Sequence, residues 1–413
     1  MKVTYEYKGK SAEDIREFTK NGKLEIDKEW LFKDYLPFQV FITCETMYEG
    51  LTIRVSPDAS FINVLDAQEI KGEKEAQEII DASLSRHGCV PSESTAAAVS
   101  GGIDSSTVAL FANAKALYSG YYNQPGFDER EFAVLVADEL RADYQEIRLT
   151  EDDFLQNWDR VLEAIGVPIG GPGAVMEFTA LEKYLESHPS TRHVLFGNGG
   201  DEIWMGYPWN EFMKQFMEIS NLSSLYMKEF KPQKVSTVLG NFDMLLAASI
   251  SRIDPKKLHL SPAYWYLVNE LSQLSHPISK ILYVNIWVTL PSLLHLNQQM
   301  CKALDVIGVN PLADDLFILH APGQNSMRPD LVPKAPLRWL HPRLPVKIRN
   351  RTDKMGFPIP WKFWPRAEKE FKSLWESFQR RSDCPSTFLG GSFPGVNRLS
   401  WAVANIEKLL RSR

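Results

Sequence analysis

Cysteine is scarce in this chain: four in 413 residues, Cys44, Cys89, Cys301 and Cys384, with no Cys-x-x-Cys spacing. That excludes a zinc ribbon and a disulfide scaffold and leaves the four as structural thiols. No uninterrupted apolar run approaches the length of a membrane span, and Met1-Lys2-Val3-Thr4-Tyr5-Glu6-Tyr7 is not a signal peptide. The expected compartment is therefore the cytoplasm, with no membrane partner. Excess positive charge is missing too. The 46 Lys and Arg against 52 Asp and Glu leave a formal net charge of −6, which gives no footprint for a nucleic-acid partner. Internal repeats and low-complexity tracts are absent, and so is the Gly-x-x-x-x-Gly-Lys-Ser/Thr phosphate loop. What remains is an ordinary globular composition, 44% hydrophobic and 24% charged, on a chain long enough for a large core.

Against that plain background one stretch stands out, Ser100-Gly101-Gly102-Ile103-Asp104-Ser105-Ser106. Thr95 to Val99 before it is small, apolar and strand-like, and Thr107 to Ala112 after it opens a buried helix. Strand, glycine turn and helix together make an anion site: paired glycines let successive N–H groups face one concavity, and the helix N-terminus adds unpaired donors and a favourable dipole. Ser100, Ser105 and Ser106 add hydroxyl donors. Asp104 repels phosphate unless a cation lies between, and Mg²⁺ is the usual choice. This is similar to the pyrophosphate loop of the ATP pyrophosphatases, and that resemblance implies cleavage of ATP between the α and β phosphates. The ATP-binding set expected from it is Val99, Ser100, Gly101, Gly102, Asp104, Ser105 and Ser106.

Around this loop the chain is organised unevenly. Residues 1–72 read as a small β-rich unit, with alternation at Phe38–Thr43 and Leu51–Val55, a turn at Pro57–Ser60 and a third strand at Phe61–Val64. Residues 73–413 form the main domain. A helix runs through Ile79, Ile80 and Leu84, strands are expected at Ala116–Tyr122, Tyr144–Leu149 and Arg192–Phe196, and Glu129–Leu140 is a helix. Strand and helix in alternation predict a doubly wound parallel α/β sheet, with ligand at the carboxyl ends of the strands and a helical lobe beyond residue 207. Ser119, Gly120 and Tyr121 then face adenine and ribose.

A second glycine motif, Gly197-Asn198-Gly199-Gly200-Asp201-Glu202-Ile203-Trp204-Met205-Gly206-Tyr207, again follows a strand and precedes a helix. Asp201 is either a helix N-cap or, paired with Asp104, the second carboxylate on a shared Mg²⁺. Lys334, Arg338, Leu344-Pro345 and Arg351-Thr352-Asp353-Lys354-Met355-Gly356-Phe357-Pro358-Ile359-Pro360-Trp361 lie further on, after Asn310-Pro311-Leu312-Ala313-Asp314. From about residue 73 to 370 these motifs, in this order, resemble the synthetase domain of the asparagine synthetase family, which includes β-lactam and carbapenam synthetases. The resemblance implies an adenine nucleotide alpha hydrolase-like fold and a catalytic role for Lys354. It places Gly197, Gly199 and Gly200 at the nucleotide and Asp104 and Asp201 at the metal.

Departures matter equally. Position 2 is Lys where glutamine-using members carry a nucleophilic cysteine, and residues 1–72 are too short for a glutaminase domain, so they read as its remnant or as a docking element. Asn198 stands where the family has a Glu or Tyr; an amide orients a nucleophile and takes no proton. Ile307-Gly308-Val309 replaces a Glu-x-Arg. The expected activity is an AMP-forming ligase that adenylates a carboxylate and passes the acyl group to an amine or ammonia, in a specialised biosynthetic pathway. A separate glutaminase or a carrier protein is the partner this leaves open. The alternatives are activation of a carbonyl oxygen on another substrate class, and a degenerate ATP-binding scaffold for which Asn198 is the main evidence.

Overall fold

The computed structural model describes residues 2–19, 24–43, 45–56, 70, 72–90, 92–168, 170–207, 210, 213, 236–274, 277–314, 334–352, 358–385, 389 and 391–411. Strands β1 (Lys2–Tyr7), β2 (Lys10–Ala12) and β3 (Thr52–Ser56) form an antiparallel sheet in the order β2-β1-β3. Leu51–Val55 thus does find a strand, but its partner is Lys2–Tyr7. Phe38–Thr43 does not. Pro37 sits in a helical turn, Leu36–Phe38, and Gln39 leaves it in the left-handed conformation at φ 61°. Phe38, Gln39 and Phe41 are all buried, so the apparent alternation is a core-filling corner and no strand pattern. The turn at 57–60 and the strand at 61–64 lie outside the described residues.

The main sheet is parallel throughout: β4 (Thr95–Ala98), β5 (Ala116–Tyr121), β6 (Asp143–Arg148), β7 (His193–Leu195) and β8 (Ile307–Val309), in the order β6-β5-β4-β7-β8. The expected doubly wound α/β architecture is what the chain forms. Helix α1 (Glu73–Arg86) leads into β4. Then α2 (Ile103–Phe111), α3 (Arg130–Leu140), α4 (Glu151–Ile165) and α5 (Gly173–Ser187) cross between successive strands. β4 pairs with β5 through Ala97 and Leu117 and with β7 through Ala97 and Leu195. The chain moves outward from β4 to β5 and β6, then returns to the other side of β4. The loops after β4 and β7 therefore leave their strands at the point where the winding reverses, which is where such sheets bind ligands.

Local chemistry explains the helices that flank this point. Thr150 and Asp153 form a reciprocal cap at the start of α4, with Thr150 N–H donating to Asp153 at 2.9 Å, and Gly166 ends the helix at φ 68°. Phe154 and Trp158 on α4 bury themselves against Phe371 of α11 (Pro365–Gln379) and Trp401 of α12 (Arg398–Arg411). In between, α6 (Gly200–Ile203) follows β7, α7 (Ser236–Ser249) and α8 (Pro262–Ser272) build the helical lobe, and α9 (Pro277–Ala303) and α10 (Ala335–Leu340) come after them in the chain.

Helix α9 (Pro277–Ala303) is 27 residues long and apolar enough, by length and composition, to cross a membrane. That corrects the expectation that no segment approaches such a length. Its apolar window is 78% buried inside the protein, and a wide turn at Val284–Thr289 precedes Pro291. One face of α9 clasps the N-terminal sheet: His295 hydrogen-bonds Tyr5, Gln298 donates to Glu13 O at 2.7 Å, and Ser292 Oγ accepts from Phe41 N at 3.1 Å. His295 is fully buried, and burial pushes its imidazole down to about 3, so it is neutral there. Leu293 and Asn297 on the same helix line the main cleft. The N-terminal sheet thereby braces one wall of the site. Cys89 and Cys301 are buried free thiols and Cys384 is half-buried, while Cys44 lies outside the described residues.

Candidate active site

A cleft of about 270 Å³ opens at the carboxyl ends of β4, β5 and β7. Of the residues expected at the nucleotide, Val99, Ser100, Asp104, Ser105, Ser119, Gly120 and Gly197 line it, together with Asn198 and Asp201. Others support it from behind. Gly101 (φ 67°) has no room for a side chain, because a Cβ there would strike Phe132 of α3. Gly102 is the N-cap of α2, and no side chain caps that helix. Its first N–H groups are therefore left for a ligand anion. Ser100 and Ser105 hold each other, Oγ to Oγ at 3.2 Å, across the mouth of the loop. Ser106 is fully buried off the cleft, and Tyr121 stacks under the Arg130 guanidinium at 3.7 Å.

The second motif is glycine-rich because it must press against the first. A Cβ on Gly197 would meet Ser105 N at 2.6 Å, and one on Gly200 would overlap the Asp104 carboxylate. Gly199 (φ 105°) lies over Leu312 and Ala313 and gives its N–H to Glu202 at 2.9 Å, so that donor is spent within the protein. Glu202 also accepts from the Tyr207 hydroxyl. Burial, then the charge of Asp201, pushes the Glu202 carboxyl up to about 7. Asn198 Nδ2 donates to Asn310 at 2.9 Å, and Asn310 Nδ2 donates to Asn297 at 3.0 Å. This amide chain leaves the Asn198 carbonyl oxygen as its acceptor toward the cleft. Ile307-Gly308-Val309 is edge strand β8, and Gly308 is needed there because Asn297 and Cys301 leave no space for a Cβ.

The residue that sequence reasoning left without a role is Lys334. Its Nζ lies 2.6 Å from Asp104 and 2.5 Å from Asp201, bridging the two carboxylates expected to share a metal. Burial alone would lower this ammonium's pKa. The two aspartates outweigh burial and hold it well above the ordinary lysine value. Gly206 makes the bridge possible, since a Cβ there would overlap both Asp201 and the Lys334 stem. Gly206→Ala is accordingly expected to part Lys334 from Asp201 and to cut ATP-dependent turnover at least about tenfold. Pyrophosphate exchange, read beside a thermal melt, checks this; unchanged exchange refutes the role of the bridge.

Lys354 lies outside the described residues. Among the described residues that flank 353–357, Arg351 and Pro358 both stand at the site. Arg351 pairs with Glu129, donates to Gly101 O at 3.4 Å and lies 3.9 Å over the Phe132 ring, while Pro358 lines the cleft. Across residues 75–386 the chain matches the family model described as asparagine synthase. No curated protein matches the chain.

Proposed function

Since the chain belongs to the asparagine synthase family, and is thus an ATP-dependent amide-forming ligase, we propose that it joins a carboxylate to an amine or ammonia through an acyl-adenylate, releasing AMP and pyrophosphate. The observation that supports this most is the meeting of the uncapped α2 N-terminus, Ser100, Ser105, Asp104, Asp201 and Lys334 at the switch point of the sheet. ATP fits that arrangement: a glycine turn with no space for side chains lets backbone donors approach phosphate. Attack of the carboxylate on the α-phosphorus builds charge on phosphate oxygens. Lys334 and Lys354 are the cations assigned to that charge, with Ser100, Ser105 and the α2 N–H groups holding the pyrophosphate.

The two aspartates also suit Mg²⁺, because carboxylate oxygens are its preferred ligands. Asp104 and Asp201 would hold it, and when bound it would draw charge from the phosphates. Lys334 already balances one of their two negative charges, so a dication is favoured only alongside the further anionic charge of the triphosphate. In the second half-reaction Asn198 orients the nitrogen nucleophile through its carbonyl oxygen, held by Asn310 and Asn297. A specialised biosynthetic role fits the asparagine at that position. A free-standing glutaminase or a carrier protein is the partner we propose for supply of nitrogen or acyl group.

The products test this. With MgATP and a panel of carboxylic acids, the protein should release AMP and pyrophosphate and should catalyse pyrophosphate exchange into ATP. ADP and orthophosphate as products would overturn the proposal.

A further inference from the structure

Two arginines beside the cleft carry charges that nothing in the fold answers. Arg252 follows α7, and Arg398 is the first residue of α12. They meet at the Leu36–Phe38 turn: Arg252 N–H donates to Pro37 O at 2.7 Å, and α12 packs against the same turn. Arg252 lies within electrostatic reach of Arg398, and both lie within that of Tyr207. Among the described residues neither guanidinium pairs with a carboxylate, and Arg252 Nε is buried without a hydrogen-bond partner. Arg398 stays accessible, with Gly171 beside it; a Cβ there would stand 3.8 Å from its Nε.

The turn adds neutral polar groups in the same condition. Tyr35 and Gln39, on either side of it, are both 0% exposed, and the Tyr35 hydroxyl and both ends of the Gln39 amide have no hydrogen-bond partner. Tyr35 is also within electrostatic reach of Arg398. Selection for stability alone satisfies such groups or replaces them, and it does not set two permanent cations together without an acid. Unspent donors around two guanidiniums suit a planar anion with two oxygens, which the guanidinium fork matches. Tyr35, Gln39 and Arg398 lie outside residues 75–386, so the cluster is built mostly from parts of the chain that the family model does not cover.

Resting on the reading of the chain as a ligase that activates a carboxylate, we propose that Arg252 and Arg398, with Tyr35 and Gln39, bind a second, unreacting carboxylate of the acid substrate, which is therefore a dicarboxylic acid. Tyr207 connects the two places: it belongs to the wall of the cleft, and its hydroxyl is spent on Glu202. Adenylation removes the charge of the carboxylate that it activates. Permanent cations placed for that group would be stranded once the acyl-adenylate had formed. A carboxylate that does not react keeps them answered through both half-reactions and holds the adenylate until the nitrogen nucleophile arrives.

The experiment is equilibrium binding, without nucleotide and at constant ionic strength, of the straight-chain dicarboxylic acids from succinate to suberate and of the monocarboxylic acids of matching length. The proteins are the full chain and its Arg252→Met and Arg398→Met variants. Wild type should bind at least one diacid about tenfold or more tightly than the matching monoacid, and each variant should lose that preference. Melts of the ligand-free proteins are the second readout: with one of two unpaired cations removed, each variant should melt no lower than wild type. A wild type without the preference, a preference that survives in either variant, or variants that melt well below wild type because the fold itself answers the arginines overturns the proposal. So does orthophosphate bound more tightly than every diacid. A diacid that binds with this preference but yields no AMP or pyrophosphate with MgATP instead refutes the ligase reading and leaves the carboxylate site standing.

Discussion

Replacing Lys334 with methionine is expected to cut pyrophosphate exchange at least about a hundredfold and to destabilise the fold by about 3–5 kcal/mol. The stem of methionine is close to that of lysine in length, so packing is largely kept. The charge is lost. Asp104 and Asp201, 7% and 29% exposed, would then face each other with no cation between them. An uncompensated carboxylate pair in so dry a place either takes up a proton or recruits another cation. Mg²⁺ without nucleotide should consequently raise the melting temperature of Lys334→Met and leave wild type nearly unmoved, since wild type carries its own counter-ion. Calorimetry with and without Mg²⁺ separates the possibilities. A variant as stable and as active as wild type would mean that the bridge is incidental.

Replacing Lys354 with alanine should depress pyrophosphate exchange by about a hundredfold to a thousandfold while leaving the melting temperature near that of wild type. The reasoning is chemical: a cation assigned to the phosphoryl oxygens acts when negative charge develops there, in adenylation. Asn198→Ala is the contrasting variant. Asn198 is held by Asn310 and contributes an acceptor oxygen, so its loss should slow amide formation by about tenfold or less and leave exchange almost intact. Single-turnover adenylation measured beside amide formation resolves the two. If Asn198→Ala abolishes exchange and Lys354→Ala leaves it untouched, the two roles have been assigned the wrong way round.

Much of this site was legible because its signals are local. The turn from Val99 to Ser106 joins a strand to a helix within a few residues, and glycines, serines and an aspartate in that order have few other uses. The second motif is read the same way, although its glycines turn out to be packing residues: Gly197 and Gly200 exist to admit Asp104 and the start of α2. Helices α4 and α5 were also within reach, from the Thr150 to Asp153 cap and the Gly166 stop, but no expectation covered them. At 38–43 the pattern misled, because burial on both sides of a corner imitates the alternation of a strand.

By itself, then, the sequence determined the parallel α/β sheet, the pyrophosphate-type loop and the pairing of that loop with a second glycine motif, since each depends on hydrogen bonding and steric allowance among neighbours in the chain. Two things were decided only by the tertiary structure: Lys2–Tyr7 pairs with Thr52–Ser56 and is clasped by α9, and Lys334 reaches Asp104 across 230 residues. Each depends on which surfaces the core brings together. A buried lysine is stable only where two carboxylates repay its desolvation, and the chain's local preferences carry no record of where distant carboxylates will be.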